Sequence, residues 1–172
     1  LYTFGNLSSY SLNQFDQSSD KSDDLGLVDA WLSSGGRHLL ATGDNIVTDL
    51  IGNQGTAGAN FAETWLGVEY RQQDISGLLG GDQTPEVITT GLQPDFEIDL
   101  YVDGGCPRLH TFDAVEPIDP AVAIAEWVAP GAYPYAAGVM NSHLGSTVVY
   151  FPVDFSYMAT PSGSAGGGGA LA

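Results

Sequence analysis

The segment LLATGDNI (residues 39–46) sets an aspartate and an asparagine directly behind an apolar run and a glycine. A helical pattern begins there, carried by Ile46, Val47, Leu50 and Ile51. Strand, tight turn and helix start is the arrangement that presents a nucleophile in many α/β enzymes, because the turn exposes one side chain and the helix N-terminus offers unpaired N–H groups. Those same N–H groups make Asp44 first of all a helix cap, a role that contributes around 1 kcal/mol. As a nucleophile Asp44 needs a histidine and an oxyanion pocket, and His143, in MNSHLGS ahead of the last strand-like run, is the histidine so placed. The other candidate pair is Cys106 with His110 in DGGCPRLH, where Gly104, Gly105 and Pro107 describe a loop and not a helix start.

Hard oxygen ligands suggest a second kind of chemistry. Asp16, Asp20, Asp23 and Asp24 crowd one polar loop, and calcium accepts flexible carboxylate sets of this kind. The spacing departs from an EF-hand, since no glycine sits at the turn and no glutamate closes the loop, so a solvated acidic loop is the leading reading. Asp99 and Asp103 in FEIDLYVDGG stand four apart and share one face of a strand, a second place for a divalent cation. His38, His110, His143 and the single cysteine show no zinc-ligand spacing. GNQGTAG lacks the Lys-Ser/Thr of a phosphate loop and follows a helix instead of a strand. Two tyrosines around a proline in APGAYPYAAG could form an exposed platform for carbohydrate or protein.

These residues need a scaffold, and the chain supplies enough apolar material for one. Its 172 residues are 43% hydrophobic, which fits one globular domain burying roughly 70% of its unfolded surface. Twenty-one acidic residues against 4 basic ones give a formal charge of -17, which repels nucleic acid and anionic lipid. Carboxylate-rich, lysine-poor surfaces suit a saline or extracellular setting. No run approaches the roughly 18 apolar residues of a spanning helix, so membrane insertion is not expected. Cys106 has no internal disulfide partner.

The periodicities alternate in the first half. LYTFGNL reads as a buried strand, and Ser22, Asp23 or Asp24 can cap a helix through LGLVDAWLSS whose Leu25, Val28, Trp31 and Leu32 share helical spacing. RHLLATG is a second strand, DNIVTDLIG a second helix, and TAGANFAETWLGV a third. Alternation of this kind implies a parallel sheet covered by helices. The second half reads as short strands, EVITTGL, FEIDLYVDG, DAVEPI, AVAIAEWV, YPYAAGVMN and STVVYFPVDF. The expectation is an α/β domain over residues 1–160, mainly parallel with extra antiparallel strands, followed by a flexible Gly/Ser/Ala tail over 161–172.

The order WL..GGRHLLATGDNI..DLI, FAETWLGVEY, GGCPRLHTFDAV and AGVMN…STVVYFPVDFSYM resembles the class I glutamine amidotransferase-like, flavodoxin-like domains of large secreted bacterial proteins. The resemblance spans residues 1–158. It implies that VVYF returns to the sheet centre and that an N-terminal portion is absent, lying on another polypeptide or replaced by something else that completes the sheet. Active members carry a cysteine at the elbow and a histidine after the last strand; this chain carries Gly43-Asp44-Asn45 and Phe151-Pro152-Val153-Asp154 there. The resemblance therefore implies a non-catalytic structural or binding module of a larger extracellular or surface protein, assembling with other chains or domains of its parent. A hydrolase built on Asp44–His143 or Cys106–His110 is the alternative.

Overall fold

The computed structural model describes residues 2–5, 12, 23–73, 86–89, 99–102, 112–128, 135–153 and 158–159. Along the chain come β1 (Tyr2–Gly5), α1 (Asp24–Ser33), β2 (His38–Gly43), α2 (Ile46–Phe61), a π-helical segment (Ala62–Leu66) and β3 (Val68–Gln72). The second half holds β4 (Glu86–Thr89), β5 (Asp99–Val102), β6 (Ala114–Pro117), β7 (Val122–Val128), β8 (Ala136–His143), β9 (Ser146–Phe151) and β10 (Met158–Ala159). The fold is mixed α/β. One sheet runs in the order β1-β2-β9-β8-β7-β4-β5-β10, and β3 pairs with β6 in a separate ribbon.

The large sheet departs from the mainly parallel expectation. Parallel pairing is confined to β1–β2 and β2–β9, and the ladders from β9 out to β10 are antiparallel. The connections decide this. Leu144-Gly145 returns β8 directly onto β9, whereas a parallel neighbour would need a crossover of a dozen or more residues.

Period-two alternation divides the core between the two faces of the sheet. Leu39 and Ala41 of β2, with Val148 and Tyr150 of β9, join Leu25, Leu32, Ile46, Val47, Leu50, Phe61 and Trp65 in the cluster beneath the helices. Leu40, Val149 and Phe151 point the other way, to a second cluster built on Phe112, Ile124, Trp127 and Val153. The Trp127 and Phe112 rings stack there at 5.7 Å.

Helix α1 starts where the sequence allows, with the Asp23 side chain accepting the Gly26 amide at 3.0 Å. Its buried stripe is Leu25, Val28 and Leu32, but Trp31, expected among them, is 41% exposed. Helix α2 merges two segments that read separately in the sequence. Gly55, at φ 55° and ψ -131°, breaks the helical path, a conformation only glycine adopts without strain. The second segment then folds back so closely that a Cβ on Gly58 would lie 1.9 Å from the Leu50 carbonyl oxygen. Among the described residues no helix is long and apolar enough to cross a membrane.

Candidate functional site

The carboxyl ends of β1, β2 and β9 form the edge at which α/β sheets receive ligands, and the GDN turn lies there. Asn45 is the N-cap residue of α2 by backbone position, yet its side chain makes no cap bond. Asp44 precedes it and is fully buried. Asp113, from the segment that leads into β6, reaches across: its Oδ2 accepts the Val47 amide at 2.8 Å and the Thr48 amide at 3.2 Å. Its own N–H donates to the Asp44 carbonyl at 3.0 Å, so residue 113 is held by main chain and side chain together. The Val47 and Thr48 amides are thus capped from the segment that enters β6, where the sequence pointed to a local cap at Asp44.

A chain of hydroxyls extends outward from this carboxyl. Thr48 Oγ1 donates to Asp113 Oδ1 at 2.5 Å and lies 3.1 Å from Tyr70 Oη. One hydroxyl hydrogen serves one acceptor at a time. When Asp113 is ionised, Thr48 gives its proton to Asp113 and Tyr70 donates to Thr48; when Asp113 is neutral, it donates to Thr48 and Thr48 to Tyr70. The geometry satisfies both states by reversing the direction of the chain. Gln73 Nε2 reaches Asn45 Oδ1 at 3.4 Å, and Asn53 Nδ2 donates to Asp49 Oδ1 at 2.5 Å.

Burial dominates the electrostatics. Asp44 and Asp113 have no exposed surface, and Asn45 and Asp49 have 2% and 1%. Loss of hydration pushes the Asp113 carboxyl up to about 7; hydrogen bonds from Thr48 and Val47 pull the other way, and the Asp44 charge adds to the rise. Tyr150 of β9 is also fully buried, and its hydroxyl makes no hydrogen bond among the described residues. Burial raises its ionisation well above the ordinary range, helped by the charges of Asp113 and Asp44. A carboxyl and a tyrosine with perturbed ionisation, Asp113 and Tyr150, mark a functional-site candidate on physical grounds, but both are buried and face inward.

The sequence-derived pairs fare differently. β2 starts at His38, opposite Thr147, while His143 stands opposite Ser146. His143 therefore sits on β8 level with the start of β2, while Asp44 lies past the end of β2, roughly 20 Å or more away along the strand direction. The structure does not bring them together. The His143 ring instead meets the edge of Trp65 at 5.1 Å. Phe151, Pro152 and Val153 are buried in the second core cluster or beside it.

Cys106, His110, Asp16, Asp20, Asp103, Tyr133 and the tail over 161–172 lie outside the described residues. Asp99 is in β5, Asp23 is engaged as the α1 cap, and Asp24 opens that helix. Tyr135, the described member of the tyrosine pair, is half-buried against the second cluster. Among the described residues no three His, Cys, Asp or Glu side chains gather to hold a metal ion. Asp113 was missed as a site residue because its partners are 66 and 65 positions away. Its one signal was a lone charge between Phe112 and Ala114-Val115 in an otherwise apolar run.

No family model matches the chain, and no curated protein matches its sequence. Among solved structures it is similar to "Cytoplasmic Protein STM3548" from Salmonella typhimurium, at 14% identity and a TM-score of 0.46. The match covers 92% of this chain, which spans about 60% of the length of that one.

Proposed function

We propose that the chain is a non-catalytic α/β module, flavodoxin-like and related to the amidotransferase-like domains, that serves a larger extracellular or surface protein as a structural or binding unit. One observation carries the reading: the Asp113 carboxyl occupies the N–H groups at the start of α2. In an active elbow such groups hold a developing oxyanion, and a free helix N-terminus is a ready anion site. Here a side chain of the protein already stands where that anion would sit. The elbow itself offers Asp44, without exposed surface and far from His143, so no attacking group meets solvent at the turn. The high acidity and scarcity of lysine support an extracellular setting.

The test is hydrolysis of p-nitrophenyl esters and p-nitroanilides by the whole chain, beside Asp44→Asn. Turnover no faster than buffer for both proteins is expected. Turnover that Asp44→Asn abolishes while the melting temperature holds would overturn the reading.

A further inference from the structure

Helix α1 carries a second stripe, opposite its buried one. Leu27 is 67% exposed and Trp31 41%, and Ala30 beside them is exposed and small. At the helix start the stripe begins with Asp24, which forms no ion pair among the described residues. At its end Arg37 lies over the Trp31 ring, 5.9 Å from the centroid, with Nε donating to Ser34 Oγ at 3.0 Å. Arg37 too forms no ion pair among the described residues, whereas Arg71 binds both Glu69 and Glu116. An arginine without a carboxylate is unusual in a chain with 21 acidic residues. Leu144, 61% exposed and at φ 48°, stands close by, its carbonyl oxygen 3.1 Å from where a Cβ on Gly35 would lie.

The stripe reads acid, leucine, tryptophan, arginine from the start of α1 to the turn that follows it. Turned through a two-fold axis, that order is complementary to itself: Asp24 meets Arg37, and Leu27 meets Trp31, twice over. A two-fold interface requires this reciprocity, in which a residue contacts a second whose copy contacts the first. The antiparallel helix dipoles add to the attraction, since the partly positive start of each α1 faces the partly negative end of the other. We propose that two copies of the chain pair through their α1 helices in this way.

The stripe is smaller than the roughly 800 Å² per partner of a standard interface, and each copy carries a charge of -17. The pair is therefore concentration-dependent, and salt that screens the long-range repulsion strengthens it. This goes beyond the non-catalytic reading, and hydrolysis assays and oligomeric state fail independently.

Sedimentation equilibrium from ~5 to ~500 µM tests it, a range set by the modest area. The expected mass rises from 18.0 kDa toward twice that value. Leu27→Glu, Arg37→Glu and Asp24→Lys each hold the protein at the lower mass with a melting temperature close to that of the parent. Asp24→Lys combined with Arg37→Glu regains association, because the exchanged charges meet again across the axis. A parent that stays at 18.0 kDa throughout, single variants that associate as well as the parent, or a double variant that fails to regain association would each overturn the proposal.

Discussion

Asp113 caps a helix that begins far upstream of it: its carboxyl takes the Val47 amide at 2.8 Å across 66 positions of sequence. The bond fixes the start of α2 to the entry of β6, and so ties the β3–β6 ribbon to the carboxyl edge of the large sheet. Asp44 contributes its carbonyl to the same junction.

Asp113→Ala leaves the Val47 and Thr48 amides without an acceptor in a buried place and is expected to destabilise the fold by roughly 2–4 kcal/mol. Asp113→Asn is expected to lose far less. Its amide oxygen can take both N–H groups while its amide nitrogen donates to Thr48 Oγ1. Urea denaturation near pH 5 compares the two, and equal losses would contradict the capping role.

The buried carboxyl also sets a pH dependence. Asp113 ionises near 3.8 when solvated and at about 7 in the fold, so between those values the folded state keeps a proton that the unfolded state releases. Its contribution is absent below pH ~4, turns increasingly unfavourable as pH rises to ~7, and is constant above, at roughly 4 kcal/mol in total. The urea midpoint of the parent should fall over that interval more steeply than that of Asp113→Asn. Parallel profiles for the two proteins would rule the effect out. Tyr150 adds a second decline on the alkaline side, where the unfolded state ionises first.

Gln54, in α2 just before the break at Gly55, is 6% exposed, and neither of its amide atoms finds a partner among the described residues. Replacing an unsatisfied buried polar group by an apolar one of similar shape is stabilising. Gln54→Met is expected to raise stability by roughly 1 kcal/mol. A lower melting temperature in calorimetry would count against the vacancy of those bonds.

Much of the framework was legible because it is local. The apolar runs in RHLLATG and STVVYF marked β2 and β9, and the three cap candidates ahead of LGLVDAWL, Ser22, Asp23 and Asp24, included the one observed. β3 escaped because VEYRQ is short and mostly polar: Val68 is buried and Tyr70 half-buried, while Glu69, Arg71 and Gln72 face solvent. Trp31 was read as core on spacing alone, yet a tryptophan can lie on a surface when a guanidinium covers it. The cap of α2 was illegible for a different reason. GDN carries every local mark of a self-capped helix, while the actual acceptor arrives through tertiary structure.

The place of β9 also bears on how the chain comes together during synthesis. β9 lies between β2 and β8, and the bond from the Arg37 amide to Ser146 spans 109 positions. At the ~5–20 residues per second of translation, β2 stands for roughly 5–20 s with its inner edge unpaired. Until β9 emerges, that edge is open to any extended segment near the ribosome, so the nascent chain has a window in which a holding chaperone governs its yield.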